Sequence, residues 1–203
     1  MDLFVTAIDT DSGKTLVSAI LCEALGADYW KPVQAGFPRD ADRVRELVSN
    51  EKTTIHPERY LLQHAMSPHA AAHREGISIS ADDFSRPSTP RDLVIEGAGG
   101  CLVPLNDTEF IIDLAPRLSA QVVLVADLYL GSINHTLLTV EALQGRGLRP
   151  IGIIFNGEAN PESERIICHH TGLKVLLQID KERAVDRHMV IRYAEQYNKS
   201  REK

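Results

Sequence analysis

The segment at positions 6–15, TAIDTDSGKT, follows the first apolar run of the chain and ends in residue types that bind phosphate. Gly13 allows the backbone to curl so that successive N–H groups face phosphate oxygens. Lys14 has the reach to contact the β- and γ-phosphates, and the Thr15 hydroxyl is suited to Mg²⁺. The usual motif also has a glycine five positions before Gly13, where this chain has Ile8. The segment predicts a nucleotide phosphate site, with an ordinary helix N-terminus as the alternative.

Two charged residues, Lys31 in YWKPV and Glu96 in VIEGAGG, stand at the ends of predicted strands. A lone buried carboxylate at Glu96 would cost several kcal/mol unless it were paired or bound to a metal. The glycines Gly97, Gly99 and Gly100 let the backbone approach a ligand closely. This combination favours a Mg²⁺ ligand at Glu96 over a tight structural turn. For Lys31, a solvated lysine at a strand end remains the alternative.

Three weaker candidates lie elsewhere. Asp42 lies near the start of a predicted helix and is a candidate third Mg²⁺ ligand, although an acid there also complements the helix dipole. The segment 130–135, LGSINH, opens another helix whose free N–H groups suit a carboxylate, unless Ser132 simply caps it. Asn156 follows a buried strand, where its amide is suited to a base edge or merely ends the strand.

These candidates need elements to position them, and the sequence alternates apolar runs with helical patterns. The predicted strands are 3–8, 29–33, 92–96, 121–126, 150–155 and 174–179. The predicted helices are 15–25, 40–49, 108–119, 132–144, 161–170 and the tail from 181, which is expected to fray from about 198. Such alternation predicts one α/β domain over residues 1–203, with a parallel sheet and helices on both faces. Ligands of such sheets bind beyond the carboxyl ends of the strands, where all the candidates fall.

The composition is that of an ordinary globular protein of 203 residues, with a net charge of −6 and a pI near 5.7. An acidic chain does not favour nonspecific binding to nucleic acid or to a membrane surface. The first apolar run is too short to span a membrane, and no charged leader precedes it. The three cysteines lack metal-ligand spacing, which is typical of reduced thiols in a cytoplasmic protein.

Taken together, the motifs resemble one known family. The order and spacing of dethiobiotin synthetases, which are P-loop NTPases, match VTAIDTDSGKT, KPVQAG, SPHAAA, VIEGAGG, PLND, LGSINHTLLT and IGIIFN. The resemblance runs to about Asn156 and is weaker beyond it. It implies that 7,8-diaminononanoate, CO2 and MgATP give dethiobiotin, ADP and phosphate. A carbamate and a carbamic-phosphoric anhydride would be the intermediates.

The same resemblance implies roles for individual residues. Lys14 and Lys31 would be the catalytic cations, and Mg²⁺ would bind Thr15, Asp42 and Glu96. Asn156 would contact adenine. The remaining nucleotide contacts would be Thr10, Asp11, Ser12, Gly13, Leu16, Gly97, Ala98 and Gly99. The substrate contacts would be Ala35 and, from the opposite subunit of a homodimer, Gly131, Ser132, Ile133 and Asn134.

The chain departs from this family at several positions. Ala7 replaces a glycine, and Ala35 replaces a serine or threonine whose hydroxyl would lie near a substrate amine. The segment 178–182, QIDKE, differs from the usual adenine-side sequence and leaves the nucleotide preference open. Two other classes therefore stay open: a partner-switching ATPase of the deviant P-loop group and a nucleotide-binding module without catalysis. The former usually has a second lysine early in the loop, and the segment IDTDSGKT has none.

Overall fold

Seven parallel strands form the central sheet in this computed structural model, which describes residues 1–201. Their order across the sheet is β4-β2-β6-β1-β7-β8-β9, and a separate parallel pair joins β3 to β5. The strands are β1 Leu3–Ala7, β2 Asp28–Trp30, β3 Val33–Ala35, β4 Ile55–His56, β5 Tyr60–Leu62, β6 Leu93–Glu96, β7 Gln121–Asp127, β8 Gly152–Asn156 and β9 Val175–Ile179. The predicted parallel α/β fold is confirmed.

Seven helices surround the sheet. They are α1 Lys14–Leu25, α2 Asp40–Leu47, α3 Pro68–Arg74, α4 Leu114–Arg117, α5 Ser132–Gln144, α6 Pro161–Thr171 and α7 Arg187–Arg201. Helix α1 packs against α2 and α7, while α5 packs against α6. Strand β1 shows why both faces are covered: Val5 belongs to the core beneath α1 and α7, and its neighbour Phe4 belongs to a second core that includes Leu114 and Leu143. Within the described residues, no helix is both long and apolar enough to cross a membrane.

The structure differs from the predicted elements at three places. The predicted strand 29–33 ends at Trp30, and β3 starts after Lys31 and Pro32 and pairs with β5 in the smaller sheet. The predicted helix 108–119 is shorter, with a 3₁₀ turn at Ile111–Asp113 before α4. Helix α7 begins at Arg187 rather than 181 and stays helical to Arg201. Positions 202–203 of the predicted fraying tail lie outside the described residues.

The topology brings the loops that follow β6, β1 and β7 to one rim of the sheet. These three strands are neighbours, and parallel pairing makes their carboxyl ends point the same way. Strand β2 lies next to β6 on the other side, which adds the loop after Trp30 to the same rim. Four of the predicted site segments therefore begin at the same rim of the sheet.

At the start of β2, a buried carboxylate ties the edge of the sheet to the segment before β6. Asp28 accepts hydrogen bonds from the Thr54 N–H at 2.9 Å and the Thr89 hydroxyl at 2.6 Å, and its Oδ2 lies 3.1 Å from His56 Nε2. Burial alone would raise the pKa of Asp28, but the hydrogen bonds from Thr89, Thr54 and His56 outweigh it and lower the pKa. The charged form of Asp28 is thus part of the folded state.

We expect Asp28→Asn to lower the free energy of unfolding at pH 7 by about 2 kcal/mol, since three donors lose their charged acceptor. A lowered pKa means that the unfolded state takes up the proton first as the pH falls. The stabilisation is therefore present above about pH 4 and declines below it, so the difference between wild type and variant shrinks there. Urea denaturation at pH 7 and pH 3 measures both effects. Asp82→Asn, at an exposed side chain, is the control; an equal loss for both variants would contradict the assignment.

Candidate active site

The loop between β1 and α1 is shaped around Gly13. This glycine has φ of 95°, and an added Cβ would lie 2.3 Å from Asn156 Nδ2. The close approach allows the Asn156 amide to donate a hydrogen bond of 3.0 Å to the Ser12 carbonyl. Ser12 is buried, and its hydroxyl accepts from the Asp9 N–H at 3.2 Å. Glycine at this position is therefore required both by backbone conformation and by packing.

Lys14 folds back over this loop. Its ammonium donates to the carbonyl oxygens of Asp9 and Thr10, at 2.9 and 2.8 Å. Burial lowers the pKa of Lys14 to about 8, with the negative charge of Glu96 opposing the shift and the positive charge of Lys31 adding to it. A cation is thus held at the entrance of the loop by neutral carbonyl groups, where it is available to an anionic ligand.

Glu96 is the centre of the polar network beneath the loop and is only 1% exposed. Its Oε1 accepts hydrogen bonds from the Thr15 hydroxyl at 2.9 Å and from the Lys31 ammonium at 3.0 Å. Its Oε2 accepts one from the Tyr29 hydroxyl, also at 2.9 Å. Both oxygens of this buried carboxylate therefore have donors, which is the condition for keeping its charge.

Lys31 is buried and bridges two carboxylates, because its ammonium forms ion pairs with both Glu96 and Asp40. Burial would lower the pKa of Lys31, but the charges of Glu96 and Asp40 outweigh it and raise the pKa. This lysine is therefore a permanent cation inside the site rather than a solvated residue at a strand end.

The structure does not bring Asp42 to this cluster. Its carboxylate accepts hydrogen bonds from Arg39 and Arg45, and its side chain is 50% exposed. The acid that reaches the cluster is Asp40, whose N–H donates to Gln34 Oε1 at 3.1 Å. Side chains two positions apart on a helix point in directions that differ by about 200°, so only one of the two acids can face the rim. Asp42, which the sequence indicated as a third Mg²⁺ ligand, is therefore not next to Glu96, and Asp40 takes that place.

These groups line a cavity of about 570 Å³. The polar part of the lining comes from the loop, the two lysines, Asp40 and Glu96. The apolar part is formed by Ala35, Ala65, Met66, Pro68, Ala98 and Val103. The predicted residues in this lining are Thr10, Asp11, Gly13, Lys14, Thr15, Lys31, Ala35, Glu96, Ala98 and Gly99. The sequence patterns predicted no role for Gln34, Asp40, the segment 65–68 or Val103. The SPHAAA motif, which begins at Ser67, was the one signal in that segment.

A second cavity of about 610 Å³ lies on the far side of the loop, and Asp11 lines both. It contains two other predicted nucleotide residues, Leu16 and Asn156. Its lining also includes Asp127, Leu128, Gly157, Glu158, Asp180, Lys181, Glu182, Val185 and Met189. The altered segment 178–182 therefore contributes to this cavity in spite of its unusual sequence.

Besides Asp42, three predicted residues or segments lie apart from the linings of these two cavities. Ser12 and Gly97 are buried behind the loop, where the Gly97 N–H donates to the Val5 carbonyl at 2.9 Å. The segment 131–134 opens α5 after Gly131, which has φ of 113°. Ser132 makes no side-chain capping bond there, so the alternative of a serine cap is not what the structure shows. Leu130 beside it is fully exposed.

Solved structures with a similar backbone include P-loop ATPases. The cell division ATPase MinD of Pyrococcus furiosus superposes with a TM-score of 0.59 at 12% identity, over 98% of both chains. A ParA family ATPase from Chlorobium tepidum gives a TM-score of 0.55 at 10% identity, over 96% of this chain and 98% of that one. At such low identity, these likenesses support the fold and nothing more.

Sequence relatives are far closer. The ATP-dependent dethiobiotin synthetase BioD of Cytophaga hutchinsonii is 56% identical over 193 residues, which is 94% of each chain. The enzyme of the same name from Christiangramia forsetii is 48% identical over 198 residues, or 97% of this chain and 95% of that one. A family model described as an AAA domain matches residues 1–189. Identity of this extent, over nearly the whole chain, means that the protein belongs to the family of ATP-dependent dethiobiotin synthetases.

Proposed function

We propose that this chain is an ATP-dependent cyclo-ligase that joins 7,8-diaminononanoate and CO2 to form dethiobiotin. The observation that carries the proposal is that cationic and apolar side chains line one cavity of about 570 Å³. The cationic groups would form a phosphate end for the triphosphate, and the apolar side chains would form an apolar end for the alkyl chain of the diamine. The two amino groups would then lie at the border between these ends, next to the γ-phosphate.

The phosphate end supplies the charge that phosphoryl transfer needs. The backbone amides of the loop and the N-terminus of α1 would surround the β-phosphate. Lys14 would exchange its two carbonyl partners for phosphate oxygens, and Lys31 would approach the γ-phosphate from the Glu96 side. Positioned cations are the main catalytic device of phosphoryl transfer, because negative charge is spread over the transferred group.

The donor set beside Lys31 suits Mg²⁺. The Thr15 hydroxyl, Glu96 and Asp40 are all hard oxygen ligands, and both carboxylates already contact one cation, the Lys31 ammonium. One or two carboxylates with phosphate oxygens and water is the usual magnesium environment. No group of three or more His, Cys, Asp or Glu side chains suited to a metal occurs among residues 1–201, so a carboxylate-rich cage is absent there. When bound, Mg²⁺ would neutralise the phosphates.

The reaction would run in three bond-forming steps. One substrate amine in its neutral form attacks the carbon of CO2 and releases an N–H proton to solvent, which gives a carbamate. A carbamate oxygen then attacks the γ-phosphorus, and ADP leaves from the opposite side, with Lys14 and Lys31 opposing the charge on the phosphoryl oxygens. The second amine attacks the carbonyl carbon of the carbamic-phosphoric anhydride and expels phosphate, which closes the ureido ring. The apolar end holds the substrate chain so that both amines stay within reach.

The second cavity would take the nucleobase. The Asn156 Nδ2 donates one hydrogen to the Ser12 carbonyl, and its Oδ1 would accept from the exocyclic amine of adenine. That arrangement supports ATP as the nucleotide. We assign Leu16 and the segment 180–182 to the same base site, because they line the cavity with Asn156.

We infer a homodimer in which the partner completes the substrate site. The segment 131–134 lies outside the cavities of its own chain, yet it opens a helix whose free N–H groups suit a carboxylate. The exposed side chain of Leu138 follows on the same helix, and with the exposed Leu102 it lines a groove next to Thr10. A second copy seated on this face would cover both leucines.

We place the reaction in the cytoplasm, where ATP is supplied. All three cysteines, Cys22, Cys101 and Cys168, are free. Free thiols without disulfides are typical of proteins in a reducing compartment.

An assay of ADP release tests the function directly. We expect release to require both 7,8-diaminononanoate and bicarbonate, and to be matched by dethiobiotin measured by mass spectrometry. Each component is omitted in turn. Release that continues without the diamine would contradict the proposal and favour a partner-switching ATPase. Nucleotide binding without any release would favour the module without catalysis.

The choice between two neighbouring acids gives a matched pair of variants. We expect Asp40→Asn to reduce kcat/KM for MgATP by at least roughly tenfold, because it removes a carboxylate from the metal and Lys31 environment. Asp42→Asn should change it by less than about twofold, since that side chain contacts surface arginines. Steady-state kinetics over a range of Mg²⁺ concentrations measures both. A larger effect at Asp42 than at Asp40 would overturn the assignment.

Mixed dimers test the shared site. Lys31→Ala removes the catalytic cation of its own chain, and Asn134→Asp places a negative charge where the substrate carboxylate would bind. Each variant alone should be nearly inactive. After the two are mixed and exchanged, half of the dimers carry one intact site, so we expect about a quarter of wild-type activity to return. If exchange is verified and no activity returns, the segment 131–134 does not act across the dimer.

A further inference from the structure

A buried tyrosine hydroxyl holds the inner oxygen of the carboxylate at the centre of the site. Tyr29 lies on β2, beside Val94 of β6 in the sheet register, and Glu96 ends β6 two residues later. The Tyr29 hydroxyl donates to Glu96 Oε2 at 2.9 Å. Tyr29 has no part in the proposed binding of substrates, nucleotide or Mg²⁺.

The tyrosine is fixed from behind. Its side chain is fully buried and belongs to the core that α1, α2 and α7 form on one face of the sheet. Strand β2 lies between β4 and β6, so the backbone of Tyr29 is paired on both sides. Such a ring cannot follow Glu96 if that side chain moves, and the hydrogen bond therefore defines where Oε2 must lie.

The two oxygens of Glu96 have separate partners. Oε2 faces the core through Tyr29, whereas Oε1 receives Thr15 and Lys31 from the side of the cavity. Burial, followed by the negative charge of Glu96, raises the pKa of Tyr29, so the hydroxyl remains a donor at neutral pH. Loss of that donor would leave a buried carboxylate oxygen without a hydrogen bond, and rotation of the carboxylate would withdraw Oε1 from its partners.

We propose that Tyr29 is a positioning residue, which orients Glu96 so that one oxygen faces the magnesium and phosphate groups of the nucleotide. The inference rests on the proposed function, because it concerns the same metal and nucleotide site. The tyrosine itself is not among the residues that line the cavity.

The test is the binding of Mg²⁺ to the protein saturated with adenylyl imidodiphosphate, an ATP analogue that is not turned over. For Tyr29→Phe, we expect calorimetry to show Mg²⁺ affinity about tenfold weaker than in wild type, as for the loss of one hydrogen bond to a charged group. Affinity for the analogue without metal should stay within about twofold. Tyr60→Phe is the matched control, since it removes a hydroxyl that donates to Asp83 at 2.8 Å outside the cavity.

A double-mutant cycle with Glu96→Gln separates positioning from a general loss of structure. If Tyr29 acts through Glu96, adding Tyr29→Phe to Glu96→Gln should change Mg²⁺ affinity by less than about twofold. A tenfold effect in both backgrounds, or equal effects at Tyr29 and Tyr60, would overturn the inference. Wild type that binds no Mg²⁺ with the analogue would instead contradict the proposed function. Wild-type affinity in Tyr29→Phe would contradict the positioning role alone.

Discussion

A single buried negative charge organises the site of this protein. Glu96 stands at the end of a central strand with almost no exposure to solvent, and a carboxylate in that position must be compensated. The compensation comes from three different elements: Tyr29 from the neighbouring strand, Lys31 from the segment after it, and Thr15 from the helix that follows the loop. The same contacts fix the relative positions of β2, β6 and α1 at the rim. The contacts that compensate the charge of Glu96 therefore also hold these elements of the fold in place.

Much of the fold was readable from the sequence because the central strands are long apolar runs. Strands β1, β7 and β8 are buried on both faces, and their hydrophobic sequences leave little choice of structure. The short strands β3, β4 and β5 have only two or three residues and show no periodicity, so the sequence did not indicate them. Helix α3, of seven residues, was missed for the same reason. An element that is stabilised only by tertiary contacts leaves no periodic pattern in the sequence from which it could be predicted.

The lining of the first cavity was predicted more completely around the loop than along its apolar part. Residues such as Lys14 and Thr15 lie where a strand ends and a helix begins, and this connection must lie at the rim of the sheet, so their place could be predicted. Asp40 and Asp42 share one helical turn, and the sequence does not reveal which acid faces inward; the N–H contact of Asp40 with Gln34 depends on how the loop after β3 folds. Ala65 and Met66 of the apolar part come from the irregular segment between β5 and α3, and Pro68 is the first residue of α3, so no periodic pattern places these side chains.

The two lysines show how one cavity gives like charges different properties. Lys31 has two carboxylate partners, and its pKa is raised despite burial; Lys14 has two carbonyl partners, and burial lowers its pKa to about 8. Lys31 therefore remains protonated at neutral pH. Lys14 lacks a directly paired anion, and a phosphate group bound there would provide one and stabilise its charge. Binding of a triphosphate would thus give the Lys14 ammonium the anionic partner that it lacks. Lys31, which is already paired with carboxylates, would supply a second positive charge to stabilise the negative charge that develops during phosphoryl transfer.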